Sequence, residues 1–446
     1  MRVVPLALRR DPLDVLTSLA DEPGAFLVDV ADPACPVTIL GCRPTAELRV
    51  LADGRVLGPV ASADALDAVE EFVAATAETG PFPLGAVVGY LAYEFGRFTA
   101  PRAVARPPDV PLAVLRRYAT VVLHDRARGQ WSVVHADRDA GPTPWLERLA
   151  APAPTWDGRL AADRLAPLLS HPRYVAAARR ILDYLAAGDA YQVNLTQPFT
   201  ASLGAPAWAV FVALARHHPV PHRVYLDLGD AQLLVNSPEL FLRRRDDRLE
   251  TRPIKGTRPR GDGRAADAAL ATELSADAKE RAEHVMIVDL ERNDLGRVCR
   301  PGSITVDPFA RVESHPSLHH LVSRVAGRLR PGVGLAEILR ATFPGGSITG
   351  APKTRAMEII AELESWPRGA YTGAVGLFHP GGDLELALAI RTAVVARGAV
   401  RWDAGGGIVT DSDPERELAE AWLKTVALRR ALGEDAPPAR ELCSSG

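Results

Sequence analysis

The stretch 251-TRPIKGTRPR-260 places Lys255 between an apolar isoleucine and a glycine. Its prolines and its glycine exclude the interior of a helix. Arg252, Arg258 and Arg260 flank the lysine, and nearby positive charges favour the neutral form of an amine. A neutral lysine acts as a nucleophile or a base, whereas a protonated lysine donates hydrogen bonds or holds an anion. A basic surface turn is the alternative interpretation, and this segment alone does not decide between the two.

The composition is that of a globular protein with a sizeable core. The chain has 446 residues, of which 47% are hydrophobic and 24% are charged. This length suits about two to four average domains, or one large intertwined α/β unit. The net charge of −3 argues against nucleic acid as the main partner, because domains that bind nucleic acid carry a basic excess.

Targeting and cysteine signals are weak. No apolar run approaches the roughly 20 residues that cross a membrane, and the N-terminal segment lacks the apolar region of a signal peptide. Cys35, Cys42, Cys299 and Cys443 are scattered and form no CxxC pair. This spacing disfavours a disulfide framework and a structural zinc site. The sequence predicts a soluble, cytoplasmic protein with neither a membrane nor a nucleic-acid partner.

Local patterns predict helices and strands that alternate without a regular βαβ rhythm. Apolar residues at helical spacing predict a helix over 172–187, and alternation predicts a strand over 191–199 with Gln192, Asn194 and Thr196 on one face. Other elements are expected as helices at 277–289 and 414–432 and a strand at 386–395. The stretch 142–167, rich in alanine and proline, is the candidate linker. The predicted class is α/β with largely antiparallel sheets.

Two helices carry glutamate pairs that could hold a cation. Glu280 and Glu283 stand on one face of the first helix, and Glu417 and Glu420 on one face of the last. Like charges one turn apart cost a few tenths of a kcal/mol on an isolated helix, and a bound cation would reverse that cost. Ligation by carboxylates alone suits Mg²⁺, which prefers hard oxygen ligands. Two ordinary acidic helix faces are the alternative.

Three other segments offer groups for an anionic ligand. Backbone N–H groups of Gly405 to Gly407 could approach an anion, or these glycines could form a loose turn. Ser347 precedes a helix start that would suit a carboxylate, or it serves only as a cap. Arg391, on an apolar strand, needs either an internal salt bridge or a bound carboxylate. His315, His319 and His320 lack zinc-ligand spacing, and His320 is expected to point one polar group at a site.

Together these segments resemble the chorismate-utilising enzymes, the family of anthranilate synthase component I. The matching stretches run in order through residues 172–432: AYQVNLTQPF, NSPELFL, RPIKGTRPRG, DAKERAEHVMIVDLERND, HHLVSRV, FPGGSITGAPKTRAMEII, YTGAVGLF, LAIRTAVV and AGGGIVTDSDPERELAEAWLKT. The resemblance implies an α/β (α+β) fold, an intertwined sandwich of two large, mainly antiparallel sheets with helices outside. Residues 1–150 would be the family's N-terminal region and residues 165–435 its chorismate-binding catalytic region, intertwined as one unit.

The resemblance also implies roles for individual residues. Glu283 and Glu420 match the family's magnesium-binding glutamates, with Glu280 and Glu417 beside them. The positions that match chorismate-holding or pocket residues are Gly256, Thr257, His320, Ser347, Tyr371, Arg391, Gly405, Gly406 and Gly407. Gln192 stands where the isochorismate and salicylate synthases carry a lysine that activates water, which argues against water as the nucleophile.

Lys255 distinguishes branches of the family. Anthranilate synthases usually read P-I-A-G-T here, whereas aminodeoxychorismate synthases characteristically read P-I-K-G-T. The resemblance then implies that Lys255 attacks C2 of chorismate while the C4 hydroxyl leaves. Ammonia adds at C4 and expels the lysine, which gives 4-amino-4-deoxychorismate for p-aminobenzoate and folate. Glu239, in SPELFL, matches the general acid/base that assists the departing hydroxyl.

The ammonia source and two alternatives complete the expectations. The sequence shows no cysteine-nucleophile elbow of the amidotransferase type, so ammonia is expected from a separate glutamine amidotransferase subunit. One alternative is amination of chorismate to anthranilate or aminodeoxyisochorismate, with Lys255 a passenger. Another is a non-catalytic scaffold that binds the amidotransferase. The glutamate pairs, Arg391 and Lys255 favour an enzyme, because a scaffold has no need of them.

Overall fold

The computed structural model describes residues 2–75, 80–101, 103, 106–135, 144–314 and 318–434. Within these ranges the strands form two large sheets and one small sheet, and every pairing is antiparallel. The predicted sandwich of large antiparallel sheets with helices is therefore confirmed. No helix among the described residues is long and apolar enough to cross a membrane.

The first large sheet has 12 strands in the described part of the chain. In spatial order they are β1 (Arg2–Leu6), β9 (Gln130–His135), β8 (Thr120–Asp125), β3 (Val37–Gly41), β2 (Phe26–Asp29), β12 (His222–Asp227), β13 (Gln232–Ser237), β24 (Thr392–Ala396), β25 (Ala399–Ile408), β11 (Gln192–Ser202) and β10 (Ala166–Pro167), with β21 (Gly350–Ala351) also beside β11. Strands β2 and β12 pair directly, so segments from before residue 150 and after residue 165 share this sheet.

The second large sheet has 10 described strands and a similar mixture. In spatial order they are β17 (Thr305–Val306), β20 (Val325–Arg328), β15 (Arg248–Arg252), β14 (Leu240–Arg245), β23 (Leu384–Leu388), β22 (Ala374–Phe378), β6 (Val87–Leu91), β7 (Ala113–Arg117), β4 (Ala46–Val50) and β5 (Val56–Leu57). The small sheet consists of β16 (Ile254–Pro259), β19 (Leu318–Val322) and β18 (Arg311–Ser314). The boundary expected between residues 150 and 165 stays a prediction.

Helices pack outside the sheets. They are α1 (Pro12–Leu19), α2 (Ala65–Ala74), α3 (His171–Ala186), α4 (Ala207–His217), α5 (Arg264–Ala276), α6 (Ala278–Gly296), α7 (Leu335–Thr342), α8 (Lys353–Leu363), α9 (Pro414–Leu423) and α10 (Val426–Ala431), with 3₁₀ helices at Tyr93–Phe98, Pro144–Ala150 and Gly346–Ile348. One hydrophobic cluster lies between the two large sheets and includes Phe26, Tyr90, Leu226 and Leu377. Burial of each such side chain contributes about 1.5–3 kcal/mol.

The helix predicted over 414–432 is two helices. Helix α9 ends at Leu423 and α10 begins at Val426. The Thr425 hydroxyl donates to the Trp422 carbonyl at 2.7 Å, and the Arg391 guanidinium donates to the Lys424 carbonyl at 2.9 Å. Side chains that bind these backbone groups compete with the helical ladder. The break therefore brings a helix end into contact with Arg391.

The strand predicted over 386–395 is also interrupted. Its first part is in β23 of the second sheet, and its last part is in β24 of the first sheet. Arg391 lies between them with a φ of +51°, a left-handed conformation that is uncommon for residues with side chains. The chain therefore crosses from one large sheet to the other at this point, which the apolar pattern did not predict.

The stretch 142–167, the candidate linker, is mostly irregular and exposed from residue 151 to residue 164, but its first part is packed against the protein. Residues 142 and 143 lie outside the described residues, and Pro144–Ala150 forms a 3₁₀ helix. Trp145, Leu149 and Leu165 are buried in the cluster beneath α1 and α4. These three apolar anchors hold the segment against the first sheet, although alanine and proline dominate its composition.

Candidate active site

The strand that carries Lys255 bulges at Gly256. Strand β16 pairs with β19, and the register shifts between Lys255 and Thr257. Gly256 has a φ of +71°, and a Cβ atom there would lie 2.8 Å from Leu274 Cδ1 and 3.2 Å from Glu280 Oε2. Only glycine combines this backbone conformation with so close an approach. The bulge therefore brings the lysine segment against helices α5 and α6.

The Lys255 amine has few partners. Its Nζ donates to the Ser347 carbonyl at 3.5 Å, and no described carboxylate forms an ion pair with it. Burial lowers the pKa of Lys255, and the charge of Lys424 lowers it further, while Glu283 and Glu239 oppose that change. Loss of water around an ammonium without a contact ion pair favours the neutral amine. The geometry thus suits a nucleophilic lysine.

The arginines that flank Lys255 are not the cause of this shift. The sequence-based explanation placed their charges next to the amine, and that explanation is wrong. The three guanidinium groups bind carboxylates elsewhere: Arg252 to Glu313 at 2.5 Å, Arg258 to Asp277 at 2.8 Å, and Arg260 to Asp267 at 2.6 Å. Because opposite charges neutralise these guanidiniums, burial dominates the electrostatics of Lys255.

Glu239 is a buried acid joined to the same turn. Its carboxyl accepts a hydrogen bond from the Ser347 hydroxyl at 2.7 Å, and the residue is 5% exposed. Burial raises the pKa of Glu239 to about 7, against the opposing effects of the Ser347 hydrogen bond and the Lys255 charge. A carboxyl group with a pKa near neutrality can donate and regain a proton at physiological pH. Ser347 contacts both Lys255 and Glu239, so it joins the two candidate catalytic groups.

Two helix N-termini present the four glutamates. Helix α6 is capped by Asp277, whose carboxylate accepts from the Lys279 and Glu280 N–H groups, and Asp413 caps α9 through the Arg416 N–H group. These caps place Glu280 and Glu417 in the first turns, where helix dipoles favour carboxylates, and Glu283 and Glu420 follow one turn later. Helix α9 packs against the glycine strand β25 and α6 against the lysine strand β16, and Glu283 and Glu420 both act to raise the pKa of Lys255.

Gly406 lets α9 approach β25 closely. A Cβ atom on Gly406 would lie 3.4 Å from Glu417 Oε2 and 3.5 Å from Glu420 Oε1. Gly405 to Gly407 do not form a loose turn, the alternative interpretation of these glycines, because they lie inside β25 and pair with Thr196, Leu195 and Asn194 of β11. The ladder hydrogen bonds hold these glycines extended, and a Cβ on Gly405 would lie 2.0 Å from the Leu195 carbonyl oxygen. The absence of side chains leaves the backbone open to a ligand.

The charges of the four glutamates determine whether they fit a metal ion. Burial raises the pKa of Glu280, Glu283 and Glu417, and neighbouring carboxylates add to the shift. Glu420 differs, because the Lys424 charge lowers its pKa. Among the described residues no three His, Cys, Asp or Glu side chains are gathered as a metal-binding group. Mg²⁺ commonly binds one or two carboxylates with waters and substrate oxygens, so these oxygen donors fit Mg²⁺ in their chemistry.

Arg391 and Tyr371 form the cationic and aromatic part of the site. The Arg391 guanidinium donates to the Lys424 carbonyl at 2.9 Å and makes no ion pair with a described carboxylate. Of the two alternatives for this arginine, the internal salt bridge is thus not formed in the described part of the chain. Burial raises the pKa of the Tyr371 phenol, and the Arg391 charge opposes that change. A half-buried guanidinium without a carboxylate partner suits a bound substrate carboxylate.

The predicted histidines separate into different roles. His320 Nδ1 lies 3.1 Å from Thr257 Oγ1, so it joins the lysine strand to β19. His319 lies 2.9 Å from Asp267 Oδ1 and 2.8 Å from Ser314 Oγ, away from this pair. His315 lies outside the described residues. The structure therefore places His320 with the candidate site and gives His319 a separate hydrogen-bond network.

Two further residues belong to the site. The Lys424 amine donates to the Gly405 carbonyl at 2.6 Å and pairs with Glu420 at 2.7 Å. Its spacing four residues after Glu420 was the available sequence signal, and it was missed. Gln192 is fully buried, and neither atom of its amide has a hydrogen-bond partner among the described residues. Buried amides are rarely left unpaired, so this one is suited to a ligand.

Two cavities among the described residues lie away from this site. One is lined by Tyr93, Arg97 and Trp366, and a second by Leu169, Trp366 and Asp403. Neither of these two cavities includes Lys255 or Glu239 in its lining. The candidate site is therefore identified by the chemistry of its side chains and not by its volume.

Comparison with known proteins identifies the family. The family of chorismate binding enzymes matches residues 25–430 of this chain. The chain belongs to the chorismate-binding enzymes. Aminodeoxychorismate synthase component 1 of Bacillus subtilis (strain 168) is 38% identical to this chorismate-binding enzyme over 363 residues, covering 78% of this chain and 77% of its own. Anthranilate synthase component 1 of Thermus thermophilus is 41% identical over 385 residues, covering 84% of this chain and 83% of its own.

A solved structure agrees with the fold of this chorismate-binding enzyme. The crystal structure of anthranilate synthase component I from Streptococcus pneumoniae TIGR4 is similar with a TM-score of 0.79 at 29% identity. The similarity covers 89% of this chain and 93% of that chain. The family and the sandwich fold expected from the sequence motifs are thus both confirmed. Relatives with two different amination activities appear at comparable identity, so the specific reaction depends on the residues of the site.

Proposed function

We propose that this enzyme is an aminodeoxychorismate synthase component that aminates chorismate at C4. The observation that carries the proposal is the state of Lys255, an amine without a contact carboxylate whose pKa is lowered by burial. An amine of this kind can form a covalent bond with the substrate. The PIKGT segment at residues 253–257 also supports the aminodeoxychorismate synthase branch of the family. The product, 4-amino-4-deoxychorismate, would serve the synthesis of p-aminobenzoate and folate.

Lys255 would act as the nucleophile and Glu239 as the general acid and base. Lys255 Nζ attacks C2 of chorismate, the ring double bonds shift, and the C4–O bond breaks. Glu239 gives its proton to the departing hydroxyl, which leaves as water, and regains a proton from the alkylated amine. The pKa of about 7 supports both directions of this transfer. Ammonia then adds at C4, and Glu239 protonates the lysine nitrogen as the C2–N bond breaks, so Lys255 leaves as the free amine. The new C4 ammonium group returns a proton to Glu239.

The remaining residues of the site bind and orient the substrate. Arg391, whose guanidinium lacks a described carboxylate partner, would take a carboxylate of chorismate. The side-chain-free backbone of Gly405 to Gly407, with Gly256 and Thr257, would lie against the ring, and Tyr371 and His320 would complete the pocket. Glu283 and Glu420, with Glu280 and Glu417 beside them, would hold Mg²⁺, which neutralises charge on a substrate carboxylate. Ammonia would come from a glutamine amidotransferase subunit.

A second candidate, anthranilate synthesis, is favoured by the 41% identity to a Thermus thermophilus anthranilate synthase component 1. In that case Lys255 would not react, and ammonia would enter at a different carbon. The unpaired Gln192 amide is compatible with either chemistry. The aminated product therefore decides between them.

The test is to incubate the protein with chorismate, Mg²⁺ and ¹⁵N-labelled ammonium salt. We expect a non-aromatic aminated product that retains the enolpyruvyl group, with the ¹⁵N label at C4 by NMR. Fluorescent anthranilate with release of pyruvate would contradict the proposal and support the second candidate. Label at C2 of a non-aromatic product would indicate aminodeoxyisochorismate, and an absence of turnover would favour a scaffold. Glutamine in place of ammonium is the control, since the expected amidotransferase is missing from the assay.

A further inference from the structure

A buried glutamate lies beneath the turn that joins the two candidate catalytic groups. Glu291 is on helix α6, eight residues after Glu283, and is 3% exposed. Its Oε1 accepts a hydrogen bond from the Gly346 N–H group at 3.1 Å. Its Oε2 has no hydrogen-bond partner among the described residues. A buried carboxyl with an unpaired oxygen is costly for the fold, so its presence calls for a function.

The turn above Glu291 contacts the catalytic groups directly. The turn is the 3₁₀ helix Gly346–Ile348. The Ser347 hydroxyl donates to Glu239 at 2.7 Å, and the Ser347 carbonyl accepts from Lys255 at 3.5 Å. The Asn194 side-chain amide donates to the same carbonyl at 3.2 Å. A displacement of Gly346 would therefore move the acid and the amine relative to each other.

The glycine at 346 allows helix α6 to support the turn at close range. A Cβ atom on Gly346 would lie 2.6 Å from Leu290 Cδ2 and 3.1 Å from Glu291 Oε1. The turn therefore rests on the helix without an intervening side chain. The Glu291 carboxyl is the described side-chain group that accepts from the Gly346 N–H, which is a backbone donor inside the protein.

The charges around Glu291 favour its neutral form. Burial raises the pKa of Glu291, and the negative charges of Asp294 and Glu239 add to this, against the opposing Lys353 charge. Lys353 is bound to the Asp294 carboxylate and to the Thr342 carbonyl. A neutral carboxyl still accepts a hydrogen bond through its carbonyl oxygen. The contact with Gly346 can therefore persist without a buried negative charge next to Glu239.

We propose that Glu291 is a positioning residue that fixes the Gly346–Ile348 turn, and through Ser347 sets the placement of Glu239 and Lys255. This inference rests on the proposed function, in which those two groups react with chorismate. Glu291 does not touch the substrate in this scheme. Its contribution is the acceptor oxygen that holds the backbone of the turn. The removal of the acceptor is expected to lower kcat with little change in the KM for chorismate, because Arg391, Tyr371 and Gly405 to Gly407 lie outside this turn.

The experiment compares Glu291→Gln and Glu291→Met with the wild-type enzyme. Gln keeps a carbonyl oxygen for the Gly346 N–H group, whereas Met fills similar space without an acceptor. Asp289→Asn is the matched control, because Asp289 is on the same helix with its side chain exposed and paired with Arg292. Each variant is assayed for ammonia-dependent chorismate amination after circular dichroism and thermal unfolding establish that it is folded. A crystal structure of Glu291→Met gives the Ser347 Oγ to Glu239 Oε1 distance.

We expect Glu291→Met to lose about 100-fold in kcat, as small misplacements of reacting groups do. We expect Glu291→Gln and Asp289→Asn to stay within about threefold of wild type, and the KM of all three to change by less than about threefold. Wild-type kcat in folded Glu291→Met would overturn the proposal. Equal losses in the Gln and Met variants would also overturn it, because the carboxyl proton and not the acceptor would then matter.

Failure of the proposed function gives a different result. If wild-type enzyme does not aminate chorismate, the proposed function is wrong whatever the variants do. The crystal structure of Glu291→Met then decides the positioning role independently. A Ser347 Oγ atom still at hydrogen-bond distance from Glu239 would overturn that role, and a displaced turn would support it.

Discussion

Two lysines lie at this site with opposite surroundings. Lys424 pairs with Glu420 at 2.7 Å and donates to the Gly405 carbonyl at 2.6 Å. Lys255 reaches one carbonyl at 3.5 Å and contacts no described carboxylate. Both side chains belong to the same charged region, since each alters the pKa of Glu420. The comparison teaches that contact partners, and not the presence of a lysine, decide which amine is suited to react.

The largest expected effect separates the two lysines directly. Lys255→Ala is expected to lower kcat for chorismate amination by about 10⁴-fold or more, because a covalent nucleophile is lost. Lys424→Ala is expected mainly to raise the KM for chorismate, by about tenfold, because it removes a charge that holds Glu420 and the glycine strand. Steady-state kinetics with ammonium salt measure both values.

Mass spectrometry of tryptic peptides supplies the control for that comparison. A chorismate-derived adduct is expected on the peptide that contains Lys255 in quenched wild-type enzyme, and on no peptide that contains Lys424. Wild-type turnover in Lys255→Ala would exclude this lysine as the nucleophile. An adduct on Lys424 would reverse the roles assigned to the two amines.

The acid beside Lys255 gives the next largest effect. Glu239→Gln is expected to lower kcat by about 10²–10⁴-fold, the usual contribution of a general acid. In wild type the protonated form is lost as pH rises through about 7, so kcat should decline above that pH. Profiles of kcat against pH for both proteins measure this. A wild-type profile that stays level to pH 9 would contradict the role of Glu239.

Glu239 should also leave a signature in stability. Its folded pKa of about 7 lies above its ordinary value of 4.5. The folded protein therefore binds this proton more tightly than the unfolded chain does. The contribution to stability is complete below about pH 4.5 and is lost as pH rises through 7. Thermal unfolding should show Glu239→Gln gaining stability relative to wild type between pH 5 and pH 8.

The carboxylates near Lys424 give a smaller, metal-dependent effect. Glu283→Gln and Glu420→Gln are each expected to raise the Mg²⁺ concentration needed for half-maximal activity by about 10–100-fold, since each removes an oxygen ligand. Glu415→Gln is the control, because Glu415 is on the same helix as Glu420 but pairs with His171 at the surface. Activity measured across a Mg²⁺ titration, and Mg²⁺ binding by calorimetry, provide the readouts. Identical Mg²⁺ titration curves for all three variants would contradict the assignment of Glu283 and Glu420 as Mg²⁺ ligands.

The smallest expected effect tests the arginines that flank Lys255. Arg252→Gln should leave kcat and its pH dependence within about twofold of wild type, because Arg252 is neutralised by Glu313 at 2.5 Å. Assays from pH 6 to pH 9 measure this. A large shift of the kcat profile along the pH axis would instead support the explanation that the arginine charges control the pKa of Lys255.

The sequence alone predicted the candidate site better than it predicted its geometry. Residue chemistry singled out Lys255, the glutamate pairs and the glycines, and the family resemblance added Glu239; the roles of these residues stay predictions. The cause assigned to the lowered pKa of Lys255 was wrong. The carboxylates that pair with the flanking arginines, such as Glu313, are distant in sequence, and a local pattern does not show them. Lys424 was missed because its pairing with Gly405 depends on how α9 packs against β25.

The fold was likewise predicted in its elements but not in its long-range contacts. Antiparallel sheets and the helix at His171–Ala186 follow from residue periodicity, and both were predicted. The sheet crossing at Arg391 and the helix break at Lys424 were not predicted, because a single long-range hydrogen bond between these two residues accompanies both. Periodicity records which face of an element is buried. It does not record where a distant side chain captures a backbone carbonyl.

Helix α6 carries Glu283 near its start and Glu291 near its end. The helix therefore fixes the distance between a candidate metal ligand and the residue that supports the Gly346–Ile348 turn. Eight residues of helix span about 12 Å, and each residue turns the helix by about 100°. One inserted or deleted residue between these positions would rotate Glu291 away from Gly346, however conservative the added side chain. Substitutions at the exposed positions of this segment keep that geometry, whereas a change in its length does not.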